Sequence, residues 1–160
     1  MTRYDLAGRT VAITGSTGGL GTALAAAVRS RGANLALLDL DGDLTRAAEH
    51  FGHLDVAVAD AEIDTIAPTA TLDPAAFERV IDINLTGVWR AFRAALPHLL
   101  AHRGYLLAIS SMAAFAHSPL QSPYAASKAG VWAMCDSIRL KVRHLGIGVG
   151  SAHPPSSAPR

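Results

Sequence analysis

The first forty residues hold a strand, a glycine-rich turn, a helix and a second strand, and that order leaves few folds open. Thr10 to Thr14 is a short apolar run rich in β-branched residues, stopped by Gly15. Leu20 to Arg31 has helical spacing, and Gly32 supplies a C-terminal stop. Asn34 to Leu40 is a second apolar strand, closed by Asp39 and Asp41. A β-α-β unit of this length brings the chain back to the same end of the sheet, so its strands pair in parallel. The turn reads Thr14-Gly15-Ser16-Thr17-Gly18-Gly19-Leu20-Gly21. Glycines there let the backbone approach a pyrophosphate, and the helix N-terminus offers unpaired N–H groups and the positive end of a dipole. Asp39, 24 residues after Gly15, can accept both hydroxyls of an adenosine ribose and would repel a 2′-phosphate. The expected cofactor is therefore NAD rather than NADP.

The rest of the chain continues the alternation. Leu44 to Phe51 is a short helix and Val56 to Ala59 a strand. Asp73 caps a long helix with Pro74 in its first turn, running to about His102 with a kink expected before Pro97. Tyr105 to Ile109 is a strand, Ser122-Pro123 opens another long helix ending near Gly146, and Ile147 to Ala152 is a last strand. The expected architecture is a Rossmann-like α/β fold: one doubly wound parallel sheet of about five strands within a single domain, residues 1–152. Residues 153–160 have the composition of a disordered tail.

Bulk properties exclude several classes. A net charge of +1 with scattered Lys and Arg gives no electrostatic footprint for nucleic acid. A single cysteine, Cys135, excludes an internal disulfide and suits a reducing cytosol. His98 and His102 have i, i+4 spacing, but no Glu-x-x motif or cysteine pair joins them, so no metal site is expected. The N-terminus is polar, and no apolar run reaches the roughly 18 residues of a membrane span. The expectation is a cytoplasmic protein without a membrane partner.

The chemistry lies in Ser-Pro-Tyr-Ala-Ala-Ser-Lys, which places Tyr124 and Lys128 four residues apart, on one helix face. The Lys128 ammonium near the Tyr124 phenol should lower the tyrosine pKa and make it a general acid/base. Ser111, thirteen residues upstream, could hold a substrate carbonyl or hydroxyl. Asn84, in Ile-Asp-Ile-Asn-Leu-Thr-Gly, is costly inside an apolar helix unless its amide is satisfied. It is either a satisfied core amide or a helix-kinking residue that holds a water against Lys128.

Together these residues resemble the classical short-chain dehydrogenase/reductase family, through the T-G-x-x-x-G-x-G turn at 14–21, Asn84, Ser110-Ser111, and Tyr124-x-x-x-Lys128. The resemblance implies Asn84, Ser111, Tyr124 and Lys128 as the catalytic set. It implies Gly15, Thr17, Gly19, Leu20, Gly21 and Asp39, with Tyr124 and Lys128, as cofactor-binding positions. The implied reaction is hydride transfer between nicotinamide and an alcohol or ketone. Met112 to Gln121, largely apolar, points to a small apolar substrate. The family also dimerises through two long helices, here 74–102 and 123–145, where Trp89, Phe92, Trp132 and Met134 could furnish that surface, a buried core being the safer reading for most of them.

The chain departs from that family in four places. Only 11 residues separate Leu40 from Gly52, so roughly 35 residues that include the family's third strand are absent. The family strand order 3-2-1-4-5-6-7 makes this the loss of an edge, and a right-handed crossover should put the short helix on the face of the 74–102 helix. The family's Asn-Asn-Ala-Gly is Ala59-Asp60-Ala61-Glu62 here, which sets a carboxylate beside the expected cofactor ribose. Its Pro-Gly after the sixth strand is Pro154-Pro155, and the chain ends at Arg160, before the family's lid and seventh strand. A second reading follows from these departures. It is a catalytically impaired remnant acting as a nucleotide-binding or dimerisation module.

Overall fold

The computed structural model describes residues 4–38 and 44–155. Five parallel strands form one sheet in the order β2-β1-β3-β4-β5, with β1 at Thr10–Thr14, β2 at Asn34–Leu38, β3 at Val56–Ala59, β4 at Tyr105–Ile109 and β5 at Gly148–Ala152. Helices α1 (Gly19–Arg29), α2 (Leu44–Phe51), α3 (Pro74–Ile81), α4 (Gly87–Leu99) and α5 (Ser122–Val142) connect them. This is the expected doubly wound arrangement, with β2 at one edge.

Strand parity divides the core. Ala12, Ala57, Ala59, Leu106, Ala108 and Val149 pack with α2, α4 and α5. The alternate residues Val11, Ile13, Val56, Val58 and Ile109 face the side of α1, with Ala25. Alanines on the first face let three helices lie close to the sheet, while branched side chains fill the second. β1 and β3 are buried along their whole length because both their faces are covered.

The short crossover from β2 to β3 passes over β1, and its helix α2 lies on the α4 side. Leu44, Ala47 and Ala48 pack into the cluster that contains Val88, Phe92 and Leu99. That is the face a right-handed connection requires.

One expectation needs correction. The segment 74–102 is not one α-helix with its irregularity at Pro97. A π-helical stretch at Asp82–Thr86 separates α3 from α4, and Pro97 lies inside α4. The wider turn sits where Asn84 is buried, a local rearrangement of the kind often found at functional positions. Of the two readings of the bulky residues on these helices, Phe92 takes the buried-core one, at 2% exposed, whereas Trp89 and Trp132 are 46% and 41% exposed.

Candidate active site

The C-terminal ends of β1, β3 and β4 meet α1 and α5 at the point where strand order reverses, the usual crevice of such sheets. After β1 the chain turns through Gly15 at φ 70°. A Cβ at Gly15 would lie 2.5 Å from the backbone of Ala61, and one at Gly21 would lie 2.5 Å from the Gly15 carbonyl and 2.9 Å from Asp60 Oδ2. Both positions therefore need glycine for space, and Gly15 also for its angle. A Cβ at Gly19, by contrast, would meet nothing within 4 Å. No side chain caps α1, so its first amides remain available to a ligand. They open on a cleft of about 230 Å³ lined by Gly15, Thr17, Gly18, Gly19, Leu20, Asp60, Ala61 and Glu62. Bare backbone and a helix N-terminus suit a pyrophosphate.

On the other side of the crevice stand Ser111, Tyr124 and Lys128. β4 ends at Ser110-Ser111, and the Ser110 hydroxyl donates to the Lys128 carbonyl at 3.1 Å, which docks α5 against the strand end. Lys128 is 2% exposed and donates from Nζ to the Ile109 carbonyl at 3.0 Å. Its Nζ lies 5.3 Å from the centre of the Tyr124 ring. The Ser111 hydroxyl interacts with the Tyr124 phenol, and this hydrogen bond acts to lower the tyrosine pKa.

Glu62 changes the electrostatics of this trio. Its Oε2 forms an ion pair with Lys128 Nζ and also accepts from the Tyr124 hydroxyl at 3.3 Å. The expectation that Lys128 lowers the Tyr124 pKa is therefore reversed. Burial, and then the negative charge of Glu62, push the Tyr124 phenol up to about 12, against the weaker downward pull of Ser111. Asp60 is raised as well, to about 6, first by burial and then by Glu62, with Lys128 opposing.

The segment carrying Glu62 is held at several points. The Asp60 amide donates to Thr14 Oγ1 at 3.3 Å. Asn84 grips Ile63 twice, accepting from its N–H at 2.9 Å and donating to its carbonyl at 2.8 Å. The Asn84 amide also donates to Ser127 Oγ at 3.3 Å, and Ser127 in turn donates to the Tyr124 carbonyl at 2.7 Å. Gln121 donates to Asp64, and the Ala67 amide to the Leu120 carbonyl. Asn84 thus ties the loop after β3 to α5. Its side-chain amide is satisfied by Ile63 and Ser127.

Most residues singled out from the sequence converge here: Thr17, Gly19 and Leu20 line the cleft, Gly15 and Gly21 shape its turn, Ser111, Tyr124 and Lys128 stand on the opposite side, and Asn84 is buried behind them between Ile63 and Ser127. Asp39 lies outside the described residues. Ser110 and Gln121, read from the sequence only as parts of a motif and a substrate-side segment, support the site through hydrogen bonds to Lys128 and Asp64, and Ser127 supports it without having been anticipated. A serine three residues after Tyr124 carries no periodic signal, because its role depends on Asn84, 43 positions away. His153 Nδ1 donates to the Ser111 carbonyl at 3.2 Å, and the Met112 amide donates to the Pro154 carbonyl at 3.0 Å, so these two residues close against the loop after β4. No helix among the described residues is long and apolar enough to cross a membrane.

The family model described as short chain dehydrogenase matches residues 40–158. An uncharacterized NAD-dependent oxidoreductase of Mycobacterium tuberculosis is 36% identical over 110 residues, 68% of this chain and 40% of that protein. The 3beta-hydroxysteroid dehydrogenase 1 of Eggerthella lenta is 31% identical over 185 residues, covering 94% of this chain and 71% of that one. A crystal structure of NAD+-bound xylitol dehydrogenase superposes with a TM-score of 0.91 at 22% identity, over 98% of this chain and 74% of that one. The chain spans between two fifths and three quarters of the length of the proteins it matches, and it belongs to the short-chain dehydrogenase/reductase family.

Proposed function

We propose that the site is built for hydride exchange between a nicotinamide dinucleotide and a small apolar alcohol or ketone, with Tyr124 as the proton donor and acceptor. The observation that carries this reading is the convergence of Ser111, Tyr124 and Lys128 beside the glycine-walled cleft. Gly15 to Gly21 would hold the pyrophosphate, and Lys128 and Tyr124 the nicotinamide ribose. When bound, the dinucleotide supplies the carbon that gives or takes the hydride. Ser111 orients the substrate oxygen toward the Tyr124 hydroxyl, which gives up its proton as a carbonyl becomes an alcohol. Asp39 favours NAD over NADP on charge. Exposed Met112 and Phe115 beside Ser111 support an apolar substrate, as does the similarity to a hydroxysteroid dehydrogenase.

A phenol raised to about 12 keeps its proton at neutral pH. Carbonyl reduction, which needs the acid, then proceeds at pH 7. Alcohol oxidation, which needs the phenolate, gains rate as pH rises. Nicotinamide fluorescence on titration with NADH tests binding, and turnover of cyclic ketones tests the chemistry. Tyr124→Phe should lower turnover at least about 100-fold, far more than it weakens NADH, for which it removes one of the two groups that hold the ribose. Retained turnover would remove Tyr124 from the mechanism.

A second reading, a nucleotide-binding module without turnover, is favoured by Glu62, which occupies the lysine and tyrosine groups that the reaction needs. NADH binding with no reduction of any ketone across pH 6–9 would select it.

A further inference from the structure

Glu62 stands between the two halves of the site. One carboxylate oxygen takes both the Lys128 ammonium and the Tyr124 hydroxyl, and the same residue lines the glycine cleft. A vicinal ribose diol that used Lys128 and Tyr124 would need those same hydrogen-bonding positions. The backbone around Glu62 cannot simply swing aside, because Asp60, Ile63 and Asp64 are anchored to Thr14, Asn84 and Gln121. Its side chain is 40% exposed, however, and Lys128 is nearly inaccessible. Displacement therefore means rotating Glu62 into solvent while the lysine stays in place.

Resting on the nucleotide reading above, we propose that Glu62 is an internal competitor for the ribose-binding groups of this site, so that it sets affinity for the nicotinamide half of a dinucleotide and leaves the pyrophosphate half alone. The glycine turn is accessible whatever Glu62 does, since the cleft is open with the ion pair intact. Losing the Lys128 pair is costly because it leaves a buried ammonium whose remaining protein partner is one carbonyl. A diol that replaces Glu62 supplies neutral acceptors in exchange for a carboxylate, and that difference lowers affinity.

Paired titrations with NADH, followed by fluorescence, and ADP, followed by calorimetry, separate the contributions. ADP carries a pyrophosphate and no second ribose. Glu62→Ala should tighten NADH at least about tenfold and ADP by less than about threefold. In a Lys128→Met background, Glu62→Ala should change NADH affinity by less than about threefold, because the contested group is gone. Equal tightening of ADP and NADH would show plain charge repulsion across the cleft and overturn competition for Lys128. Unchanged NADH affinity with ADP still bound would overturn the proposal and leave the nucleotide reading standing. If neither ligand binds any variant, the nucleotide reading falls and the proposal falls with it.

Discussion

Asp60 shows how one substitution at the end of a strand alters both stability and charge. Its carboxyl is buried at the mouth of the glycine cleft and titrates near 6 rather than 3.8. Because its folded pKa is raised, its contribution to stability is fully present below pH 3.8 and is lost as pH rises through about 6. Asp60→Asn should therefore stabilise the protein by about 1–2 kcal/mol at pH 8 and change little at pH 4.5. Urea unfolding at the two pH values reads this directly, and a pH-independent difference would contradict it. Identical sequence features had different legibility at this scale. Tyr124, Lys128 and Ser111 could be selected by spacing alone, because i, i+4 on a helix fixes who is near whom. The sign of the tyrosine shift could not. It depends on Glu62, 62 residues away, whose reach to Tyr124 is a matter of loop path rather than period.

Among the elements, the loop after β3 and the π-helical turn act as one unit. Asn84 is fully buried, and its amide pairs both backbone groups of Ile63 and the Ser127 hydroxyl. Asn84→Ala strands those partners away from water and should cost about 2–4 kcal/mol in chemical denaturation. It should also free the Glu62 loop, seen as faster amide exchange at Ile63. A loss below about 0.5 kcal/mol would mean that the loop holds itself. The position of Asn84 in an apolar segment marked it as needing partners. The π-turn left no such mark: Asp82–Thr86 continues the helical pattern, and the extra residue in the turn reflects packing against α5 and Ile63 rather than local propensity. Pro97 carried a strong local signal and yet lies inside α4, in its last turn.

For the molecule as a whole, the short β2-to-β3 connection makes α2 structurally indispensable. One helix of eight residues covers the sheet where the chain crosses β1, and Leu44 is its most deeply buried side chain, at 2% exposed. Leu44→Ala should destabilise the protein by about 2.5–4 kcal/mol, more than a surface-helix truncation would. Thermal unfolding measures it, and a loss under 1 kcal/mol would show that α2 is not part of the cooperative core. The parallel sheet and its five strands were readable from alternating apolar runs and glycine stops, and their order from the resemblance to the family. So was the gathering of the serine, tyrosine and lysine at one sheet end, since strand ends and helix starts in such a fold all lie on the same side. What tertiary structure alone decided is which charges touch. The ion pair of Glu62 with Lys128, the raised Tyr124 and the raised Asp60 arise where β3, β4 and α5 bring distant segments within hydrogen-bonding distance, and Coulomb energy at that range depends on separation and burial that no residue spacing encodes.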